Sequence, residues 1–120
     1  MKKKTLVLGA SLKEERYSNR AIKKLKANNI TVVALGLRVG VVAGVAIDTD
    51  KMSYENIDTV TLYLNPKRQE EYYDYILSLQ PKRVIFNPGT ENMEFMKLLK
   101  ENNIASEIAC TLVLLATNQY

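Results

Sequence analysis

The sequence predicts an α/β protein built on a parallel sheet. Three observations carry that reading. First, three short apolar runs stop at small turn-forming corners: Leu6-Val7-Leu8 into Gly9-Ala10-Ser11, Leu62-Tyr63-Leu64 into Asn65-Pro66, and Val84-Ile85-Phe86 into Asn87-Pro88-Gly89. Second, a helix-like pattern follows each corner, as when parallel strands deliver their carboxyl ends to one ligand-binding rim. Third, Leu25-Lys26-Ala27-Asn28-Asn29-Ile30 returns as Leu99-Lys100-Glu101-Asn102-Asn103-Ile104. Each copy reads as a helix end, a paired-Asn cap in the left-handed conformation and a new strand.

Lys4–Leu8 is the expected first strand. A helix capped by Ser18 follows, with Ala21, Ile22 and Leu25 as its apolar stripe and Lys23, Lys24 and Lys26 facing water. Ile30–Leu35 is β-branched and apolar, the pattern of a second strand. Residues 36–52, punctuated by Gly36, Gly40 and Gly44, read as an irregular connection with a short strand near Val45–Ile47. Its glycines suit either a phosphate-binding loop or a flexible link.

Asp58–Leu64 alternates and is the third main strand. Asn65 then caps a helix with Pro66 at its first position. That helix carries Tyr72, Ile76 and Leu79 on one face and stops before Pro81. Arg83–Phe86 is the fourth strand. Thr90 or Asn87 caps the next helix, with Phe95, Met96 and Leu99 inward. Ile104–Ile108 is the fifth strand, and Thr111–Ala116 a terminal helix. The expected architecture is a Rossmann-like three-layer sandwich: one domain over residues 1–120, with a five-stranded parallel sheet in the order 3-2-1-4-5 and right-handed crossovers.

Composition narrows the chemistry. The chain has 120 residues, 47% hydrophobic and 25% charged, with a net charge of +4. That balance suits one globular core and mildly favours a phosphorylated ligand. Lys2-Lys3-Lys4 is the densest basic cluster and reads as a solvated flank; no aromatic or Arg-rich stretch supports a nucleic-acid arm. No apolar run approaches the ~20 residues needed to span a bilayer. With one cysteine an intrachain disulfide is excluded, and no signal-peptide pattern opens the chain, so a cytoplasmic location is expected. Histidine is absent, which removes the commonest general base and, with a single Cys, the usual ligands of a zinc site.

The first corner lies where a dinucleotide fold places its phosphate turn, but Gly-x-Gly-x-x-Gly is missing: Ser11 and Glu14 stand at the second and third glycine positions. Ser11, Ser18 and the backbone near Asn19 could still hold a phosphate at a helix N-terminus, with Arg16 and Arg20 as counter-charges. Asn65-Pro66 and Asn87-Pro88-Gly89 are also what helix caps and tight turns require on their own. Cys110 is either a thiol exposed at a helix start or a small packed residue. Tyr72, Tyr73 and Tyr75 divide between core and surface. No nucleophile, base and orienting group are paired by spacing. No catalytic or metal-ligating residue is assigned, and the chain reads as a binding module before an enzyme.

Four segments carry a family likeness: Gly9-Ala10-Ser11 with Arg16-Tyr17-Ser18-Asn19-Arg20; Thr59-Val60-Thr61-Leu62-Tyr63-Leu64-Asn65-Pro66; Phe86-Asn87-Pro88-Gly89-Thr90-Glu91-Asn92; and Glu107-Ile108-Ala109-Cys110-Thr111. Through them the chain resembles the small stand-alone CoA-binding domain proteins of bacteria, which look like the nucleotide-binding domain of succinyl-CoA synthetase. The resemblance implies that Gly9, Ala10, Ser11, Ser18, Asn19 and Arg20 hold the CoA phosphates. It places Arg38 near the nucleotide end. Leu64, Asn65, Pro66, Asn87, Pro88 and Gly89 would line the rest of the groove. The synthetase's active histidine has no counterpart, so ligase activity is not implied.

The expected function is therefore binding of CoA or an acyl-CoA without catalysis, with no nucleic-acid or membrane partner and with homo-oligomerisation left open. The alternatives are a sensor of NAD(H) or another nucleotide, a protein-interaction module with a vestigial pocket, and a thiol-dependent activity at Cys110.

Overall fold

Consecutive residues of the first strand are buried on opposite sides of the sheet: Leu6 and Leu8 in one core, Val7 in the other. Burial on both faces marks a strand at the centre of a covered parallel sheet. The computed structural model describes residues 3–120; Met1 and Lys2, and with Lys2 part of the basic flank, lie outside the described residues.

The strands are β1 (Thr5–Ala10), β2 (Val32–Gly36), β3 (Gly40–Val42), β4 (Val45–Asp48), β5 (Thr59–Leu62), β6 (Arg83–Phe86) and β7 (Ala105–Ile108). The helices are α1 (Tyr17–Ala27), α2 (Pro66–Gln69), α3 (Tyr73–Leu79), α4 (Met93–Glu101) and α5 (Thr111–Ala116), with a single 3-10 turn at Glu70–Tyr72 joining α2 to α3. The sheet order is β3-β4-β2-β1-β5-β6-β7. All pairings are parallel except β3 with β4.

The expectation of five strands in the order 3-2-1-4-5 is corrected here. The sheet has seven strands, and the strand expected third (β5) lies beside β1 rather than outside β2. The reason is the segment read as an irregular connection. It folds into a two-residue hairpin in which Val42 pairs with Val45. Ala43 (φ 50°) and Gly44 (φ 80°) take the paired positive φ values of a type I′ turn. β4 then adds in parallel to β2 through Ala34 and Ile47, occupying that side of the sheet.

The two cores follow from helix placement. Ile22 and Leu25 of α1 and Leu115 of α5 cover Val7, Val32, Ala34 and Ile47. Ile76 of α3 and Phe95 and Leu99 of α4 cover Leu6, Leu8, Val60, Val84 and Phe86. Tyr73 stacks on Phe95 with ring centroids 4.3 Å apart.

The repeated junction has the predicted geometry in both copies. Asn29 (φ 60°) and Asn103 (φ 61°) are left-handed. The Ile30 N–H donates to Leu25 O at 3.1 Å and the Ile104 N–H to Leu99 O at 2.9 Å, the six-to-one bond of a Schellman motif. Asn65 caps α2 by accepting from the Arg68 N–H at 2.9 Å, with Pro66 at the first helical position. Two expected caps differ. α1 begins at Tyr17, one residue before Ser18, and has no side-chain cap. α4 is capped by Asn92, whose Oδ1 accepts from the Phe95 N–H at 3.1 Å, because Thr90 instead donates its hydroxyl to Asn87 O.

Candidate functional site

The sheet splits its connections between β1 and β5: β1 runs on to β2 on one side, β5 to β6 on the other. Loops diverging from two adjacent strands leave a crevice at their carboxyl ends, the usual ligand position in open α/β sheets. A cleft of about 520 Å³ lies there, within the range of roughly 300–1,000 Å³ typical of small-molecule sites.

Its floor is Gly9-Ala10-Ser11 after β1, with Tyr63-Leu64 after β5. Gly9 has φ +98°, and a Cβ there would lie 3.0 Å from the Tyr63 carbonyl carbon. Only glycine lets these two backbones approach so closely. At Gly36 a Cβ would fall 2.3 Å from Ala10 O, so the ends of β1 and β2 are drawn together beneath the same rim.

One wall is the loop into α1: Leu12, Lys13, Arg16, Tyr17 and Ser18. The loop is pinned by the Asn19 side-chain amide, which donates to Ser11 O at 2.9 Å, and by the Lys13 N–H, which donates to Ser11 Oγ at 3.1 Å. Asn19 is buried, and its Oδ1 has no donor among the described residues. A second wall is Leu35-Gly36-Leu37-Arg38 after β2. The third is Arg68 and Tyr72 from the α2 region with Pro88 and Thr90 after β6.

Arg68 is fixed by its neighbour. Gln69 is fully buried, and its amide donates to Leu64 O at 2.9 Å and Thr90 O at 2.8 Å. Asn92 donates to Gln69 Oε1 at 3.0 Å and to the Tyr73 hydroxyl at 2.8 Å. This network ties the short α2 to the β6–α4 loop, so Arg68 projects from a braced turn.

The electrostatics are one-sided. Lys13, Arg16, Arg38 and Arg68 line the cleft, and no carboxylate does. The ion pairs among the described residues lie elsewhere: Lys23–Glu14, Lys82–Asp58 and Arg83–Glu107. Unneutralised cations around a crevice with low-dielectric walls concentrate anions. Tyr63, at the floor, has its hydroxyl pushed up to about 12, chiefly by burial, so it is a neutral hydrogen-bonding group at physiological pH.

Of the residues singled out from the sequence, Gly9, Ala10, Ser11, Ser18, Arg38, Leu64 and Pro88 line the cleft. Asn19 stands behind it as a loop brace. Arg20, over the Tyr17 ring at 5.5 Å, together with Asn65, Pro66 and Gly89, is outside the lining. Asn87 is buried: its amide donates to Thr61 Oγ1 and Leu62 O, and its Oδ1 accepts from the Thr111 N–H. Cys110 is the N-cap residue of α5, half-buried and outside the lining. Lys13, Arg68 and Tyr63 were missed as site residues. Arg68 and Tyr63 sit within or beside the Leu62–Pro66 corner, where apolar and capping roles masked them.

A family model described as a CoA binding domain matches residues 3–116. The chain belongs to the CoA binding domain family. A crystal structure of an uncharacterised protein has 47% sequence identity and a TM-score of 0.97, over 100% of this chain and 99% of that one. A hypothetical protein from Pyrococcus horikoshii has 26% identity and a TM-score of 0.84, over 93% of this chain and 80% of that one. A Thermus thermophilus protein shares the fold of this CoA-binding-domain chain at 19% identity and a TM-score of 0.87, over 99% of this chain and 91% of that one. No curated protein sequence matches significantly. Among the described residues no helix is long and apolar enough to cross a membrane, and no cluster of His, Cys, Asp or Glu could hold a metal ion.

Proposed function

We propose that the protein binds CoA or an acyl-CoA in the cleft between the ends of β1 and β5, without catalysing a reaction on it. One observation carries the reading: Lys13, Arg16, Arg38 and Arg68 line the cleft without a single carboxylate among them. CoA bears a pyrophosphate and a 3′-phosphate, so a ligand of that class fits a site with cations on all of its walls. Family membership supports the same ligand. The loop after Gly9, with Ser11 and Ser18, would take the pyrophosphate. Arg38 and Arg68, on opposite walls, would hold the remaining negative charge. A binding role, in the cytoplasm, rests on the absence of histidine, the single cysteine, and the lack of a paired acid and base.

Calorimetry and thermal shift with CoA, acetyl-CoA, dephospho-CoA, NAD and ATP test the reading. CoA at 100 times its dissociation constant should add about 2.7 kcal/mol of stability. Arg68→Ala should weaken CoA by about tenfold, and added salt should weaken the wild type more than the variant. Absence of heat and of any shift at millimolar CoA would refute it. A larger effect of NAD than of CoA would favour the nucleotide-sensor alternative.

A further inference from the structure

The two edges of the sheet are unequally protected. β7 carries Glu107, whose carboxylate meets Arg83 at 3.1 Å, and a charge on an edge strand discourages pairing with another chain. β3 has no such guard. Residues 39–46 read Val-Gly-Val-Val-Ala-Gly-Val-Ala, without a charge or a proline. Val39 and Val41 are 74% and 66% exposed, and Leu37 beside them 71%.

The backbone of this edge is also open. In a two-residue hairpin the flanking pair, Val42 with Val45, exchanges both main-chain hydrogen bonds, so bonding alternates along β3. Gly40 bonds inward to Ile47, while Val41, and by the same alternation Val39, turn N–H and C=O away from β4. Among the described residues no hydrogen bond outside the sheet ladder engages the backbone of 39–46.

We propose that β3 pairs antiparallel with β3 of a second copy of this chain, joining two sheets across a two-fold axis at Gly40. The register is self-complementary. With Gly40 opposite Gly40, Val41 of one copy meets Val39 of the other, and every outward N–H and C=O of these residues finds a partner. Within 37–43, the stretch this register pairs, the one charge is Arg38, which falls opposite Val42, so two identical edges meet without like charges face to face despite the net charge of +4 on each chain. The same register sets Ala43 of the second copy opposite Leu37, a residue of the cleft wall. The pairing therefore places the second copy's hairpin turn at the mouth of the cleft. It goes beyond the CoA reading and does not rest on it.

Sedimentation velocity on the ligand-free protein up to about 0.5 mM tests this, a concentration chosen because the patch is small beside a standard interface of about 800 Å² per partner. The expected result is a monomer–dimer equilibrium weakened by about tenfold or more in Val41→Lys, through like charges brought together at the pairing edge. Ile108→Lys, on the opposite edge, should leave it unchanged. Hydrogen exchange on the wild type gives a second readout without a variant: the Val39 and Val41 amides should exchange more slowly as protein concentration rises. A monomer throughout, a dimer indifferent to Val41→Lys, open-ended polymers, or concentration-independent exchange at those amides would each overturn the proposal.

Discussion

The Thr111 backbone N–H donates to Asn87 Oδ1 at 2.9 Å, so the start of α5 is held by a side chain from the end of β6. The other end of the same amide donates to Thr61 Oγ1 at 2.7 Å and Leu62 O at 2.9 Å. Thr61 and Thr111 complete the cluster through their hydroxyls, 2.8 Å apart. One buried side chain thus joins β5, β6 and α5 directly behind the cleft floor.

Replacing Asn87 with Ala strands buried donors and acceptors on all three elements. An unsatisfied buried group costs about 1–3 kcal/mol, so Asn87→Ala should destabilise the protein by about 3 kcal/mol in urea unfolding. Asn87→Asp should also destabilise, because it removes the donor to Thr61 and Leu62. A loss below about 0.5 kcal/mol in both would show that the cluster contributes little.

Gly9→Ala should harm both fold and site. The new methyl meets the Tyr63 backbone at 3.0 Å from a φ of +98°. Strain of this kind costs about 1–3 kcal/mol, and relieving it moves the β1 and β5 loops apart. The measurement is paired: urea midpoint for stability, calorimetry for CoA affinity. Ala should lower both.

Ala43 offers the opposite case. It holds φ 50° in the hairpin turn, a conformation better suited to Asn or Gly. Ala43→Asn, giving the favoured Asn-Gly turn, should stabilise by about 0.5–1 kcal/mol in thermal or chemical unfolding. Ala43 does not line the cleft of its own chain, so CoA affinity measured on the monomer should stay within about twofold.

Alkaline unfolding should start above pH 10. Burial raises the hydroxyls of Tyr63 and Tyr75 to about 12 and raises that of Tyr54 as well, Tyr54 also donating to Asp48. In the unfolded chain these groups ionise near their ordinary value of about 10. Below that pH both states are protonated, and stability is insensitive to them. Between about 10 and 12 the folded state holds more protons, so stability falls as pH rises. Urea midpoints from pH 8 to 11 should be flat at first and then decline, and Tyr63→Phe should soften the decline.

What the sequence disclosed was local chemistry with an unambiguous partner. The paired asparagines at 28–29 and 102–103 announced two Schellman ends, and Asn65-Pro66 announced a cap, because each depends on neighbours within a turn. The short strand expected near Val45–Ile47 is β4, but β3 and the hairpin that pairs the two escaped, because the turn is Ala-Gly rather than Asn-Gly and β3 is too short for alternation to show. Once the hairpin was missed, the strand order failed with it, since nothing else occupied the far side of β2. Ser18 failed as a cap for a different reason: α1 begins at Tyr17, after Arg16 at the N-cap position, and Ser18 is buried within its first turn. The backbone corners of the cleft, Gly9-Ala10-Ser11 with Leu64 and Pro88, were legible. Arg68 was not, because whether a helical arginine faces a cleft or solvent depends on Gln69 anchoring α2 across 21 residues to Thr90.

The carboxylate-free lining has a consequence for the ligand-free protein. Lys13, Arg16, Arg38 and Arg68 repel one another across a shared space, and water with mobile counter-ions is their main relief over a screening length of about 8 Å at physiological ionic strength. A cleft so lined should attract small multivalent anions of the solvent when no organic ligand is bound. Dissociation constants measured in phosphate or sulfate would describe exchange of one anion for another, and the apparent stability of the free protein would follow the identity of the buffer salt as well as its concentration.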